Sequence, residues 1–170
     1  MLRVFDATGS TVQIATWNVN SVRTRLDQVL SWLENEQPDL LCLQETKVDD
    51  PLFPLEDFKS AGWHVQIHGQ KAYNGVALIS QEPLEDVRYG FVGELPDDAE
   101  AADLGEQKRV ISALLNGVRV LNLYVPNGIK PEVGEIPVQT GLAQLPEALS
   151  RSPAGTLRTA LHGWRLQHRP

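Results

Sequence analysis

The hydrophobic pattern of this chain stops near Gly128, and this limits the predicted fold to the residues before it. Up to that point apolar residues recur at strand or helix spacing. Residues 129–170 show no strand pattern and one weak helical stretch at residues 142–149. This last segment contains no Asp, and Trp164 is its only aromatic residue. Residues 1–10 also lack a clear period. We therefore predict a lead at residues 1–11, a folded domain at residues 12–128 and a disordered tail at residues 129–170.

The beginning of the domain has the order strand, helix, strand. Residues 11–19, "TVQIATWNV", are rich in β-branched residues and predict a strand. Five apolar residues then share one helical face: Val22, Leu26, Val29, Leu30 and Leu33. They predict a helix with Ser21 as its N-cap and Pro38 as its end. The nearly continuous apolar run "DLLCLQE" is typical of a strand covered on both faces. This order favours an α/β layer architecture.

The rest of the domain is predicted to be richer in strands. "LEDFKSAG" indicates a short helix, and "WHVQIHG" and "YNGVALIS" indicate two strands joined by a short polar link. Two alternating runs flank Asn116-Gly117, a dipeptide that favours a two-residue type I′ hairpin because both positions need φ > 0. The acidic stretch "GELPDDAEAADLGEQ" before this hairpin predicts a solvated loop.

The chain is acidic, with 22 Asp and Glu residues against 15 Lys and Arg and a formal net charge of -7. This charge argues against a non-specific nucleic-acid binder, which is usually basic, but not against an enzyme that gathers carboxylates around a metal. Cys42 is the single cysteine and lies in an apolar run, so we expect neither a disulfide nor a thiol metal site. The sequence has no signal-peptide pattern and no apolar run of membrane length, which predicts a cytoplasmic location.

Three polar residues follow predicted strands: Asn18, Glu45 and Tyr124. In α/β sheets ligands collect at strand ends, where loops expose polar groups over a rigid base. An amide oxygen and a carboxylate suit Mg²⁺, and a tyrosine can donate to a phosphate oxygen. Position alone leaves other roles open. Asn18 could be a turn or cap residue, Glu45 a solvated strand end, and Tyr124 a packing residue with a hydrated hydroxyl.

Five segments narrow this choice: "IATWNVNSVRTRLDQVLSWL", "QPDLLCLQETKV", "YNGVALIS", "QKRVISALL" and "VLNLYVPNG". In this order and at these intervals they resemble the exodeoxyribonuclease III family of abasic-site (AP) DNA repair endonucleases. That family is a branch of the endonuclease–exonuclease–phosphatase superfamily. The "NSVRTR" and "LYVPNG" segments favour the repair branch. The resemblance runs from about Ile14 to Gly128.

The resemblance implies a fold, a metal and a substrate. The fold would be the first half of a four-layer α/β sandwich, with a largely antiparallel sheet and covering helices. Glu45 and Asn18 would hold Mg²⁺, or Mn²⁺ in its place, and Tyr124 would lie at the scissile phosphate. Arg23, Arg25 and Lys47 flank this site and are candidate DNA contacts, with surface solvation as the alternative role. The full-length parent would be a monomer that hydrolyses double-stranded DNA at abasic sites and from 3′ ends.

The resemblance ends after "YVPNG". The family continues with a "KYRYKLAWL"-like segment, then a strand ending in "GDFN" that activates the attacking water, and later a catalytic His, none of which this sequence contains. Read one base later, codons for "EIPVQTGL" (residues 135–142) are compatible with Lys-Tyr-Arg-Tyr-Lys-Leu-Ala-Trp, and codons for "WRLQHRP" (residues 164–170) with "GDFNIA". Both missing segments are compatible with the same one-base shift of the reading frame, which indicates a frame-shifted, truncated tail.

A truncated chain of this kind is predicted to be catalytically inactive. We expect it to lack the second sheet of the sandwich and to expose a large apolar face, which favours aggregation. The alternative functions are a non-catalytic fragment and an acidic protein-binding module that uses the exposed sheet.

Overall fold

The computed structural model describes residues 1–6, 8–91 and 106–126. The predicted tail and most of the predicted acidic loop lie outside the described residues. The strands are β1 (Leu2–Phe5), β2 (Thr11–Asn18), β3 (Leu40–Gln44), β4 (His64–His68), β5 (Val76–Ser80), β6 (Glu85–Tyr89), β7 (Val110–Leu115) and β8 (Val118–Leu123). The α-helices are α1 (Leu26–Glu36) and α2 (Leu55–Ser60). In this part of the chain, no helix is both long enough and apolar enough to cross a membrane.

Five strands form the first sheet in the order β1-β2-β3-β5-β4. Only β2 and β3 run parallel, with α1 as the crossover between them, and the other neighbours are antiparallel. A parallel pair needs such a crossover because a tight turn reverses the chain. The predicted strand–helix–strand order and the largely antiparallel sheet are both confirmed.

A second sheet, β6-β7-β8, packs against the first. The core between the two sheets contains Leu40, Cys42 and Leu78 from the first sheet, and Ile111 and Val120 from the second. The prediction that the chain lacks a second sheet and exposes a large apolar face is therefore wrong. Alternation along β7 and β8 showed that one face is buried, but not that the hairpin belongs to a separate sheet. The alternative function, an acidic protein-binding module, required an exposed sheet and therefore loses its structural basis.

The helices cover the opposite face of the first sheet. Val29 and Leu33 of α1 and Phe58 of α2 are fully buried there against Leu41 and Ile79. The described residues thus form three layers, helix, sheet and sheet, and β3 lies in the middle with all five residues buried, as its apolar run predicted. Burial of apolar surface on both faces of one strand is the main stabilising contribution of this arrangement.

One local prediction near the amino terminus is wrong, and two strands were not predicted. Residues 2–5 of the predicted lead form β1, an edge strand of the first sheet whose Val4 is buried in the core between the two sheets. Ser21 is not a helix N-cap: its backbone N–H donates to the Glu45 carbonyl at 2.8 Å, and α1 begins five residues later, at Leu26, without a side-chain cap. Strand β6 was not predicted from the sequence because none of its residues is fully buried.

The hairpin between β7 and β8 has the predicted turn. Asn116 and Gly117 connect the strands with φ of 50° and 74°, the left-handed values that a type I′ turn requires. A Cβ built on Gly117 would meet no atom within 4 Å. The requirement for glycine at this position is therefore one of backbone conformation and not of space.

We expect Gly117→Val to destabilise the chain by about 1–2 kcal/mol, the cost of a left-handed conformation for a residue with a Cβ. Urea unfolding followed by circular dichroism measures the change. Asn116→Gly is the matched control and should alter the midpoint little, since glycine adopts the same φ freely. Equal midpoints for Gly117→Val and the unmodified chain would contradict the type I′ assignment.

Candidate active site

The parallel pairing of β2 and β3 places Asn18 and Glu45 at the same edge of the first sheet. Asn18 is the last residue of β2 and pairs with Gln44, the last residue of β3, so Glu45 follows directly beside it. The Asn18 Nδ2 atom donates a hydrogen bond to Glu45 Oε1 at 2.7 Å. The two candidate metal ligands predicted from the sequence are therefore in direct contact.

Tyr124 reaches the same edge from the second sheet. It follows β8, where its backbone N–H donates to the Arg109 carbonyl at 2.8 Å. Its hydroxyl donates a hydrogen bond to the Glu45 carboxylate. The structure thus brings together all three residues that the sequence placed after strands. Their catalytic and metal-binding roles stay predictions.

The environment holds Glu45 and Tyr124 in opposite protonation states. Burial alone would raise the pKa of Glu45, but hydrogen bonds from Asn18, Lys47 and Tyr124, together with the Lys47 charge, lower it below its usual value. Burial, followed by the hydrogen bond and negative charge of Glu45, raises the pKa of Tyr124 to about 12. At neutral pH the site therefore presents a carboxylate beside a phenol that keeps its proton.

A cation already lies against this carboxylate. Lys47 Nζ is 3.0 Å from Glu45 Oε2 and donates to Asn20 Oδ1 at 2.6 Å. Arg25 Nη1 donates to the Asn20 carbonyl. Of the three predicted DNA contacts, Lys47 and Arg25 are thus engaged in this cluster, while Arg23 is exposed. The role of Asn20 was not predicted, because no sequence pattern places it against Lys47 and Arg25.

The loops around the site have unusual backbone conformations. Among the residues with positive φ in these loops are Asn20, Ser21, Glu45, Lys47 and Asn74. Backbone hydrogen bonds connect two of these loops: the Thr46 N–H donates to the Gly75 carbonyl at 3.1 Å and the Lys47 N–H to the Asn74 carbonyl at 3.0 Å. Left-handed conformations of residues with a side chain persist only where surrounding contacts hold them, and they concentrate at functional sites.

Arg109 lies next to Tyr124 with part of its guanidinium buried. Its Nε and Nη1 atoms are inaccessible to solvent and have no hydrogen-bond partner among the described residues. Burial lowers the pKa of Arg109, and the nearby Tyr124 phenol opposes that change. Arg109 was not predicted as a site residue, because a single Arg before an apolar strand is typical of a solvated strand end.

The donor set fits a weakly held hard cation. The Asn18 amide nitrogen faces Glu45, which leaves the amide oxygen and the carboxylate as oxygen ligands. Within residues 1–6, 8–91 and 106–126, no group of three or more His, Cys, Asp or Glu side chains could hold a metal. Two oxygen ligands suit a hard cation that keeps several waters better than a metal that demands a full protein cage.

The site is thus a carboxylate, an amide and a phenol that lie together at one rim of a two-sheet α/β sandwich. A sequence profile of the Endonuclease/Exonuclease/phosphatase family matches residues 15–121, and the chain belongs to this family. The matched range contains Asn18 and Glu45 and ends three residues before Tyr124. The family membership and the α/β sandwich fold inferred from the motifs are confirmed.

Proteins similar to this chain include DNA repair nucleases of known sequence and structure. The exodeoxyribonuclease III of Haemophilus influenzae is 39% identical over 121 residues, which are 69% of this chain and 42% of that protein. An AP endonuclease from Archaeoglobus fulgidus superposes with a TM-score of 0.71 at 38% identity, covering 82% of this chain and 51% of that one. A Neisseria 3′ phosphatase bound to a product DNA hairpin has a TM-score of 0.60 at 46% identity, with 69% and 42% covered. The chain therefore spans about half the length of these relatives, or less.

We expect the Tyr124 phenol to ionise near pH 12, measured as the difference in alkaline absorbance between the chain and Tyr124→Phe. Because this pKa is raised on folding, its contribution to stability is present below about pH 10 and is lost as the pH rises through 12. Glu45→Gln should lower the Tyr124 pKa by removing a negative charge, but not to the ordinary value, since burial remains.

The matched control is Glu56→Gln, at an exposed carboxylate on α2, and it should leave the Tyr124 titration unchanged. A Tyr124 pKa that does not move in Glu45→Gln would contradict the contact between these side chains.

Proposed function

We propose that this chain is the amino-terminal half of a Mg²⁺-dependent DNA repair nuclease that hydrolyses phosphodiesters. The observation that carries the proposal is the convergence of Asn18, Glu45 and Tyr124 at the rim between the two sheets. Similarity to the Haemophilus influenzae exodeoxyribonuclease III and to the Archaeoglobus fulgidus AP endonuclease supports it.

Each side chain has a specific proposed role. Glu45, ionised at neutral pH, and the Asn18 amide oxygen would hold the cation beside the Lys47 ammonium, which contacts Glu45 Oε2. Tyr124, which keeps its proton, donates a hydrogen bond to a nonbridging phosphate oxygen. Bound Mg²⁺ supplies Lewis-acid polarisation of the phosphoryl group and stabilises the leaving alkoxide. Mn²⁺ would fit the same oxygen ligands.

The proposed substrate is double-stranded DNA with abasic sites or 3′ ends. The names of the relatives support this class, since one is an AP endonuclease and another is a 3′ phosphatase with a product DNA hairpin. Arg23 is the predicted DNA contact that is left exposed, while Lys47 and Arg25 are held in the site cluster. A cytoplasmic, monomeric full-length parent belongs to the same proposal.

The 170-residue chain itself is proposed to be inactive. Its sequence has no counterpart of the "GDFN" strand end that would activate the attacking water, and the coding frame beyond residue 128 offers a reason for this. The nucleotide sequence across codons 128–136 tests the origin of the tail directly. A single-base slip followed by an intact family frame supports the proposal, and an unbroken frame with no downstream match contradicts it.

Calorimetry should show that Mg²⁺ binds weakly to the chain and that Glu45→Gln abolishes this binding. The physical reason is that two protein ligands leave most of the coordination shell to water. Glu56→Gln, at an exposed carboxylate on α2, is the control and should bind as the unmodified chain does. Tight binding that survives Glu45→Gln would rule out the assignment of Glu45 as a metal ligand.

The chain as written should show no detectable cleavage of a duplex with an abasic site, whereas the frame-restored protein should cleave it in a Mg²⁺-dependent manner. Loss of the groups that activate the nucleophile costs on the order of 10²–10⁴ in rate for the acid–base contribution alone. In the restored protein, Glu45→Gln and Tyr124→Phe should each depress cleavage, and Glu56→Gln should not. Cleavage by the 170-residue chain that Glu45→Gln abolishes would overturn the proposed inactivity.

A further inference from the structure

Two buried side-chain amides connect the sheets directly beneath the candidate site. Gln44, at the end of β3, donates from Nε2 to Asn122 Oδ1 at 2.7 Å. Asn122, on β8, donates from Nδ2 to the Leu43 carbonyl at 2.9 Å and to the Ala77 carbonyl at 3.0 Å. Leu43 and Ala77 are register partners in the β3–β5 ladder. The Asn122 amide therefore bridges two strands of the first sheet from the second.

Both amides of this pair are buried and hydrogen-bonded. Asn122 is 2% exposed and Gln44 is 9% exposed, and Gln44 Nε2 also donates to Thr16 Oγ1 at 2.9 Å. Around these amides the interface between the sheets is formed mostly by apolar side chains, among them Leu78, Ile111 and Val120. A second polar contact lies at another strand, where His68 Nδ1 on β4 is 2.9 Å from the Val110 carbonyl on β7. Apolar contacts are non-directional and tolerate sliding, whereas hydrogen bonds depend steeply on distance and angle.

Both amides are next to the residues of the site. Gln44 immediately precedes Glu45 in the chain, and Asn122 precedes Tyr124 by two residues, at the carboxyl end of β8. A shift of one sheet across the other would therefore change the separation of Glu45 and Tyr124 unless the amides held it.

We propose that Gln44 and Asn122 are positioning residues that set the distance between the Glu45 carboxylate and the Tyr124 phenol. Neither touches the proposed substrate, because both lie beneath the rim and are buried. The pair acts by locking the register of β8 against β3 and β5. The importance of this distance for catalysis rests on the proposed function, but the locking itself does not. A misplacement of about 1 Å in an active site can reduce the rate roughly 10²-fold, which makes such a lock functionally significant.

The test is nuclear magnetic resonance on the full 170-residue chain without metal, with the Tyr and Glu side chains isotope-labelled. The cross-relaxation signal between the Tyr124 ring protons and the Glu45 methylene protons reports their separation and falls steeply with distance. In Asn122→Leu this signal should drop severalfold while the backbone amide spectrum stays that of a folded protein. Gln44→Leu, which leaves the Asn122 bonds to Leu43 and Ala77 in place, should give a smaller drop.

Val120→Ala is the matched control because Val120 lies on the same strand, in the core between the sheets, and makes no hydrogen bond through its side chain. It removes buried methyl groups and destabilises the core, yet should preserve the Tyr124–Glu45 signal. An unchanged signal in both amide variants, or an equal drop in Val120→Ala, would overturn the positioning role. If Asn122→Leu does not fold, the comparison of Gln44→Leu with Val120→Ala decides the question.

Mn²⁺ added to the same samples tests the metal site separately. Broadening of the Asn18 and Glu45 side-chain signals supports the proposed function. If these signals do not broaden, the metal assignment is wrong. The Tyr124–Glu45 cross-relaxation signal measured without metal still decides whether the amides position Tyr124.

Discussion

The burial of β3 on both faces is the constraint on which the rest of the structure depends. Its five residues, Leu40–Gln44, face the helices on one side and the second sheet on the other, and none is accessible to an appreciable degree. Because β3 pairs in parallel with β2 and antiparallel with β5, its end determines where the ends of its neighbours meet. The candidate site lies at that end, directly beside the most deeply buried strand of the described residues.

Local patterns in the sequence predicted most of the elements that form this core. The β-branched run of β2, the helical spacing of α1, the apolar run of β3 and the Asn116-Gly117 turn each carry a signal within a few residues. Strand β1 was missed because it is short and only Val4 is buried, and β6 because it is mostly exposed. The division into two sheets was missed for a different reason: side-chain alternation identifies the buried face of a hairpin but not the surface that covers it.

The candidate site was predictable in its principal residues and not in its supporting ones. Asn18, Glu45 and Tyr124 follow strands, and that position together with the family motifs identified them. Gln44 and Asn122 lie inside strands, where a polar residue is indistinguishable from one that faces water until the partner strand is known. The ion pair of Lys47 with Glu45 also depends on left-handed backbone at both residues, which no composition rule predicts for Glu or Lys.

Both apolar cores are composed, within the described part of the chain, of residues from Leu2 to Tyr124. A ribosome adds residues at roughly 5–20 per second, and domains condense as their segments emerge. The region that matches this chain makes up 51% of the Archaeoglobus fulgidus AP endonuclease chain. The described partners in these two cores would therefore all lie outside the exit tunnel once the residues up to Tyr124 have emerged. The order of the segments along the chain thus places both cores within one continuous stretch, which can condense as a unit during synthesis.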